Sequence, residues 1–531
     1  MRLIIKIKKV DLIFLSRETM VTFNDFLIKS KFNMKKAKLY QESYYKIMES
    51  GLFDKNYYIN AYPHIKKSGM DPLVHYLFYG AREHKRPSPT FNLKRYLREY
   101  PEIEKNNLNP LIHYIDNNNT GFTLDKSPFE LRREKIIDTN KMFLSNYEFE
   151  SEPLVSIIIL NRNGLEHLQR LFDNFDEKTN YSNYEIIVVD NASSDGSVSF
   201  LKSLNLPITL IENSENVSFS KGNNDAANIA NGDYLLLLNN DIEPTYGWLN
   251  EMVGCMLNNE NVGSVGAKLI FPYYEDMKNQ GKSYCIQHAG VKFREERTPY
   301  IYGPYHENMF STLIFSSDVN HQKEVISNTA ACLLVPKDLY FEFGGLDETY
   351  FYGYEDIDFA LKLYQNNYKS IFNPFALLFH HESATRVEDE DKKNQLNYEN
   401  IMYFLSKWGD LLFKKLLVDK IEQNHFFTDK KIDISIISKN DEFISNLVKD
   451  LNNRDFNVKI IPNLNNFDIG EDCDILISND KNYDVDKIVS RLNLIKVLIS
   501  SENDSRYDIC LDKCENYSDK LMDIIKEELM E

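Results

Sequence analysis

The chain has 531 residues, 43% hydrophobic and 27% charged, with a formal net charge of −18. That length exceeds a single domain, and the composition is that of a globular protein rather than a fibrous or disordered one. So acidic a balance excludes nucleic acid as a bulk partner and wide adsorption to anionic lipid.

The first residues run the other way, with Arg2, Lys6, Lys8, Lys9, Lys29, Lys31, Lys35, Lys36 and Lys38. Residues 1–45 read as a basic, partly helical lead-in. It suits a solvated arm or a peripheral contact with a membrane surface or partner. Met1–Leu15 is apolar but broken by charges, and no uninterrupted run approaches the roughly 18 apolar residues of a transmembrane helix. The six cysteines, Cys255, Cys285, Cys332, Cys473, Cys510 and Cys514, contain no C-x-x-C pair. They suggest neither a disulfide framework nor a zinc site, and a reducing cytoplasm is expected.

An internal repeat fills residues 46–120. Phe53, Tyr58, Tyr62, Pro63 and Ile65 return 38 residues later as Phe91, Tyr96, Tyr100, Pro101 and Ile103. Pro72-Leu73-Val74-His75-Tyr76 returns as Pro110-Leu111-Ile112-His113-Tyr114 at the same offset. Each unit reads as two short helices. The first ends at the Tyr-Pro step, because the residue before proline is pushed out of the helical region. The second starts at Pro72 or Pro110, a favoured first helical position. His75 and His113 suit hydrogen-bonded core positions better than metal ligation. Residues 121–150 are polar and read as a linker.

From Pro153 the pattern becomes strand–helix alternation. Val155–Leu160, Glu185–Asp190 and Ile208–Glu212 read as strands. Leu165–Phe175, a stretch from about Ser197, and Phe219–Ala230 read as helices. Such alternation implies right-handed crossovers and a mostly parallel, Rossmann-like sheet. Four consecutive leucines, Leu235–Leu238, then form a strand buried on both faces. It stops at Asn239-Asn240-Asp241, and Pro244 blocks its continuation. Ligands of open α/β sheets bind outside the carboxyl ends of the strands, so Asp241 stands where a hard cation and a phosphate could sit. The tripeptide alone equally suits a polar turn. Beyond it the pattern is mixed, with strands at Val262–Leu269, Ala289–Phe293 and Thr329–Val335 and a helix at Glu355–Asn366. Residues 430–531 form a further small α/β unit, Rossmann-like but without a glycine-rich phosphate loop. Its strands are Ile432–Ser438, Val458–Pro462, Asp474–Ser478 and Lys496–Ser500, and its last helix is Ser518–Glu528.

Three carboxylate-bearing turns come from different strand ends. Asp190 closes Ile186–Val189, Asp241 closes the leucines, and Glu355-Asp356 open a helix after Tyr350-Phe351-Tyr352-Gly353-Tyr354. Acids in a first helical turn are favoured by the macrodipole, so a plain helix start also fits. A loop so rich in aromatics and glycine reads as one folded over something planar. His380-His381-Glu382-Ser383 ends another apolar run, and imidazole beside carboxylate suits a divalent cation such as Mn²⁺.

Together these stretches resemble a family 2 glycosyltransferase over about residues 153–410. Its motifs are Val155–Gly164, Val188–Ser197, Glu215–Asn224, Asn239-Asn240-Asp241, Gly344–Glu348 with Glu355-Asp356, and His380–Ser383, in the family's order. The rhamnosyltransferase-like branch is the nearest match, and the repeat resembles tyrosine-rich modules found beside polysaccharide-assembly transferases. The resemblance implies a GT-A catalytic domain over residues 151–425, acting on a nucleotide-diphosphate sugar, UDP- or dTDP-linked, with Mn²⁺ or Mg²⁺. It implies that Asp190 holds the nucleoside and Asn239 the ribose side, with Asn161, Asn224 and Asn240 also on the donor. Asp241 and His380 would hold the metal, Asp356 would be the general base, and Glu355 would orient donor or acceptor. Two departures stand out: Asn239 where the family has Asp, removing a charge, and Ser218 where glycine is usual.

The implied activity is inverting transfer to a growing cell-surface glycan, free or lipid-linked, at the inner face of the cell membrane, with other polysaccharide-assembly enzymes as candidate partners. A sugar nucleotidyltransferase would need a glycine-rich basic loop after the first strand, where Leu160-Asn161-Arg162-Asn163-Gly164 stands instead. A non-catalytic glycan-binding or scaffold protein with a transferase-like domain would not need Asp241, Asp356 and His380 together.

Overall fold

The leucine run is a strand sealed on both faces. Leu236 and Leu238 join Ile157, Ile159, Val188, Trp248 and Met252 on one side of the sheet. Leu235 and Leu237 join Ile158, Ile187, Ala226, Ala227 and Phe359 on the other. Each fully buried leucine contributes about 1.5–3 kcal/mol, and the alternation fixes the register, because a one-residue slip would exchange the two faces.

A computed structural model of the chain describes residues 29–31, 33–117, 122, 124–145, 147–274, 280–296, 301–351, 353–381, 390–438, 442–461, 473–479, 495–500, 504, 506–511 and 517–530. Most of the basic lead-in, Tyr352, Glu382 and Ser383 lie outside the described residues. The chain forms two compact units, Met1–Ile136 and Ile137–Glu531.

In the first unit the repeated residues take matching positions. Tyr58 Oη lies 3.1 Å from His75 Nδ1, and Tyr96 Oη 2.8 Å from His113 Nδ1. Asp54 and Asn92 cap one helix of each repeat, Asp71 and Asn109 another. Each repeat holds three short helical segments rather than two: Pro63–Ser68 and Glu102–Lys105 follow the Tyr-Pro steps. Proline ends one helix and opens the next, since its missing N–H costs nothing in a first turn. Within the stretch read as a linker, Pro128–Lys141 is helical; its charged sequence carries little apolar periodicity to announce it.

The second unit is built on β1 (Val155–Asn161), β2 (Tyr184–Asn191), β3 (Ile208–Asn213), β4 (Tyr234–Asn239), β5 (Ile242–Pro244), β6 (Val262–Ile270), β7 (Ile286–His288), β8 (Val291–Glu296), β9 (Ile301–His306), β10 (Lys323–Val325), β11 (Cys332–Pro336) and β12 (Lys369–His380). The main sheet runs β10-β12-β6-β11-β4-β1-β2-β3, with β5 on β12 and β7 on β6. β3, β2, β1 and β4 are parallel, as expected, and β11 runs antiparallel between β4 and β6. β8 and β9 form a separate antiparallel pair.

Three elements differ from the sequence reading. Asn174, at φ 52°, divides the helix expected over Leu165–Phe175 into Leu165–Leu171 and Phe175–Thr179. Gly290, at φ 109°, parts β7 from β8 where one strand was expected. Pro244 ends a three-residue strand rather than preventing one, since the chain turns at Asp241 and pairs with β12; proline is tolerated at such an edge.

Beyond the main sheet, β13 (Asp433–Ile437), β14 (Asn457–Ile461), β15 (Ile475–Ser478), β16 (Ile495–Ile499) and β17 (Ile509–Leu511) make a parallel sheet in the order β14-β13-β15-β16-β17. This is the doubly wound order of one Rossmann-like class; the sequence reading lacked β17. A 33-residue helix, Glu390–Glu422, joins the two sheets. Its Phe404, Trp408, Leu412 and Leu416 pack with Ile357 and Leu361 of the helix Glu355–Gln365. Its Leu417 and Ile421 pack with Ile434 and Ile475 of the smaller sheet.

Candidate active site

The ends of β1, β4, β7, β9 and β12 surround a cavity of about 600 Å³. Asn161, Asn239, Asn240, Asp241, Glu355, Asp356 and His380 all line it. Parallel strands β1 and β4 end level with each other, so Asn161 and Asn239–Asp241 emerge at one rim. β12 returns antiparallel to β5 and brings His380 opposite Ile242.

Asp241 and His380 stand side by side. His380 Nε2 lies 3.1 Å from Asp241 Oδ1 and 3.4 Å from Asn239 Nδ2. His380 Nδ1 lies 2.8 Å from Gln287 Oε1. If Nδ1–H donates to that amide oxygen, Nε2 is left with its lone pair toward Asp241, the tautomer a metal needs. Adjacent ligands of an octahedral ion, with bonds of about 2.1 Å, stand about 3.0 Å apart, so the observed separation fits Mn²⁺ or Mg²⁺. The nitrogen-and-oxygen donor set suits them too. Among the described residues no group of three or more His, Cys, Asp or Glu side chains could hold a metal; the protein would supply only part of the coordination. His381 turns away, its Nε2 3.4 Å from Glu243.

An amide ladder crosses the strand ends. Asn240 Nδ2 donates to Asn161 Oδ1 at 2.8 Å, and Asn161 Nδ2 donates to Asp190 Oδ1 at 2.9 Å. Asp190 Oδ2 accepts the Ser193 N–H at 2.9 Å. Gly164 is required beneath the ladder, because a β-carbon there would collide with both Asn240 and Asn161. Asp190 is buried behind Asn161, away from the cavity lining. Asn224 lies apart as well. Its Oδ1 accepts from Tyr340 Oη at 2.6 Å and the Leu346 N–H at 3.1 Å, and its Nδ2 donates to the Leu346 carbonyl at 2.9 Å. It therefore ties the helix Phe219–Ile229 to the Gly344–Glu348 loop rather than reaching the cavity. Ser218, the departure from glycine, caps that helix by accepting the Lys221 N–H at 3.2 Å.

Asp356 sits in the first turn of the helix Glu355–Gln365. Its Oδ2 accepts the Ala330 N–H at 3.0 Å and its Oδ1 the Ile357 N–H at 2.9 Å. Burial raises its pKa above the usual carboxylate value, against the pull of these N–H groups and of His306. A carboxylate so raised is a better proton acceptor near neutral pH. Tyr354, just before the helix, is held at φ 76°, a conformation costly for a bulky residue and common near functional sites.

Asp358, two residues on, points elsewhere. It is fully buried, accepts from Trp408 Nε1 at 2.7 Å and from Tyr350 Oη at 3.3 Å, and meets Lys407 Nζ at 2.7 Å and Lys362 Nζ at 3.2 Å. It locks the acidic helix to the long helix. The sequence reading missed Gln287, His288 and His306 as cavity residues. None carries a spacing signal, because each arrives through strand pairing rather than local sequence.

The fold and site define an α/β domain with a polar cavity at its strand ends, where Asp241, His380 and Asp356 meet. Residues 156–321 match the family described as Glycosyl transferase family 2. A protein of Sinorhizobium fredii, "Uncharacterized protein y4gI", is 30% identical over 269 residues, 49% of this chain and 28% of that protein. The O-antigen biosynthesis protein RfbC of Myxococcus xanthus is 29% identical over 249 residues, 46% of this chain and 18% of that protein. The chain thus spans less than a third of either relative. Among solved structures, the mannosyltransferase PcManGT of Pyrobaculum calidifontis, in complex with GDP-Man and Mn²⁺, is similar at 18% identity and a TM-score of 0.31. That match covers 48% of this chain and 65% of that one.

Proposed function

We propose that the chain is a metal-dependent, inverting glycosyltransferase. Its donor is a UDP- or dTDP-linked sugar, and its acceptor is a hydroxyl of a growing cell-surface glycan carried on lipid. The observation that carries this reading is the meeting of Asp241, His380 and Asp356 in one cavity at the carboxyl ends of parallel strands. The rhamnosyltransferase-like branch is the part of the family we favour, from the motifs named above.

Asp241 and His380 would hold Mn²⁺ or Mg²⁺, with Asn239 beside them. Such an ion, when bound, stabilises the charge of the departing diphosphate as a Lewis acid. Asn161 and Asn240 offer amide groups to the nucleotide sugar, and Asp190 acts on it through Asn161. Asn224 supports the site by holding the Gly344–Glu348 loop. Asp356 accepts the proton of the attacking hydroxyl, and Glu355 borders the same space. The hydroxyl oxygen bonds to the anomeric carbon as the bond from that carbon to the diphosphate breaks. One base opposite the leaving group gives a single displacement, hence inversion. The residues 151–425 carry this chemistry, flanked by the repeat module at 46–120 and the small domain at 430–531. The basic lead-in brings the enzyme to the cytoplasmic membrane face and to lipid-borne acceptors.

Thermal shift with UDP, dTDP and GDP, each with and without Mn²⁺, tests the reading. A nucleoside diphosphate at 100-fold excess over Kd should add about 2.7 kcal/mol of stability. Asp241→Ala and His380→Ala should remove the metal-dependent part. If no nucleotide stabilises the wild type, or both variants keep full metal dependence, the assignment fails.

A further inference from the structure

Phe271, Lys282 and Phe310 adjoin the cavity and take no part in the chemistry above. Phe271 follows β6, Lys282 precedes β7, and Phe310 stands in the loop after β9. Backbone pairing fixes this region. The Phe271 N–H donates to the Cys285 carbonyl at 2.9 Å, and the Tyr284 N–H returns to the Phe271 carbonyl at 3.0 Å. The Phe310 N–H donates to the Ile286 carbonyl and the Ile286 N–H to the Ser311 carbonyl, each at 2.8 Å. The loop is thereby laced to the start of β7. It meets the cavity at two points, since Met309, just before Phe310, and Gln287, just after Ile286, both line it.

Phe310 is held at φ 67°, a left-handed conformation costly for a bulky residue and concentrated at functional sites. Burial does little to offset that cost, because the side chain is 46% exposed. Its ring lies parallel to that of the fully buried Phe271, at 5° with centroids 5.6 Å apart, so its orientation is set from below. Lys282 Nζ stands 5.3 Å from the Phe310 centroid and 5.7 Å from that of Phe271. The ammonium meets these two rings and, among the described residues, no carboxylate. An exposed, rigidly backed ring beside a cation without a counter-charge suits a particular chemistry. The C–H face of a sugar ring packs on the aromatic plane, and an anionic group on that sugar meets the ammonium.

We propose that Phe310, backed by Phe271 and flanked by Lys282, seats an acceptor sugar that carries an anionic group, a carboxylate or a phosphate. This rests on the glycosyl-transfer reading and narrows its acceptor to an acidic glycan. The seat adjoins the cavity through Met309, so a sugar resting on it stands next to the space where Asp241, His380 and Asp356 meet.

The test uses the full chain with Mn²⁺, saturated with whichever of UDP, dTDP or GDP stabilises it, so that the donor site is filled. Methyl glucuronide, glucose 6-phosphate and, as a neutral control, methyl glucoside are titrated in and followed by ligand-observed NMR. The wild type should prefer an anionic sugar to the neutral one, and the tighter of the two anionic probes tells carboxylate from phosphate. Lys282→Gln should weaken that probe about 10-fold and abolish the preference. Phe310→Asn places at this position a residue that tolerates a left-handed backbone. It should weaken every sugar about 5-fold or more, with nucleotide affinity within a few-fold of wild type. Undiminished sugar binding in Phe310→Asn, or a wild type with no preference for an anionic sugar, overturns the proposal. A wild type that binds nucleotide but none of the sugars overturns this seat alone. One that binds no nucleoside diphosphate overturns the glycosyl-transfer reading, and the seat with it.

Discussion

Asp356 and Asp358 stand on one helix, two residues apart, and replacing each by Asn should give opposite results. At Asp356 the amide keeps one acceptor oxygen for the two N–H groups of Ala330 and Ile357. The other position becomes a donor facing a donor, which removes a charge-assisted hydrogen bond worth about 1.5–3 kcal/mol. The variant also escapes the desolvation that raises the pKa of this half-buried carboxylate. These effects oppose each other, so stability should stay within about 2 kcal/mol of the wild type. Turnover should fall at least about 10²-fold, because the amide cannot accept a proton; that is about 2.7 kcal/mol of barrier. At Asp358 the carboxylate is fully buried against Lys407 and Lys362, with Trp408 and Tyr350 bonded to it. Asp358→Asn removes the charge-assisted bonds to these partly exposed ammonium groups, of which Lys407 keeps Asp347 at 3.1 Å, and should cost about 1.5–3 kcal/mol. Turnover per folded molecule should remain within a few-fold. Denaturant midpoints and single-turnover donor consumption read both quantities. Near-normal turnover in Asp356→Asn would refute the base assignment and pass it to Glu355.

Lys268 offers a pH test. It is fully buried, donating to the Ile314 carbonyl at 2.8 Å and Asn320 Oδ1 at 2.9 Å, and burial lowers its pKa to about 7. Between that value and the ordinary lysine range of about 10.4, the unfolded chain binds a proton that the folded chain does not. Wild-type stability relative to Lys268→Met should therefore rise as pH climbs through this window, in urea titrations; a flat difference would contradict it. The lead-in should bind vesicles containing phosphatidylglycerol, more weakly as salt rises, because its lysines include Lys35, Lys36 and Lys38 on an exposed helix bearing Met34 and Leu39. Equal binding to neutral phosphatidylcholine vesicles, or none to either, would remove the membrane role.

What the sequence made legible were features written in local pattern. Leu235–Leu238 announced a strand buried on both faces, and the abrupt change to Asn239-Asn240-Asp241 marked the rim of the cavity. His380 was visible for the same reason, a polar residue ending an apolar run. Gln287, which orients His380 from 93 positions away, was not visible. Its position depends on β7 pairing with β6, and that pairing carries a register shift. The family resemblance alone put Asn224 on the donor; only the folded Gly344–Glu348 loop reveals that its amide is committed to the Leu346 backbone and Tyr340. Nothing in local sequence marks Asp358, since a helix start favours acids throughout its first turn. Its burial is decided by Trp408 and Lys407, fifty residues downstream.

The helix Glu390–Glu422 has a consequence for how such proteins can be recombined. At 1.5 Å per residue it runs about 50 Å, and no single core owns it. Its Leu396 and Asn397 border the cavity. Lys407 is tied to Asp358, and Lys420 forms a buried pair with Asp474, 2.7 Å away, on the smaller sheet. A genetic crossover within Phe404–Ile421 would join a half-helix fitted to one partner with a half fitted to another, costing Asp358 its Lys407 or Asp474 its Lys420. Exchange of the terminal domain between relatives therefore has to respect the whole helix as an heirloom of both neighbours, inherited intact or replaced with matching carboxylates at each end.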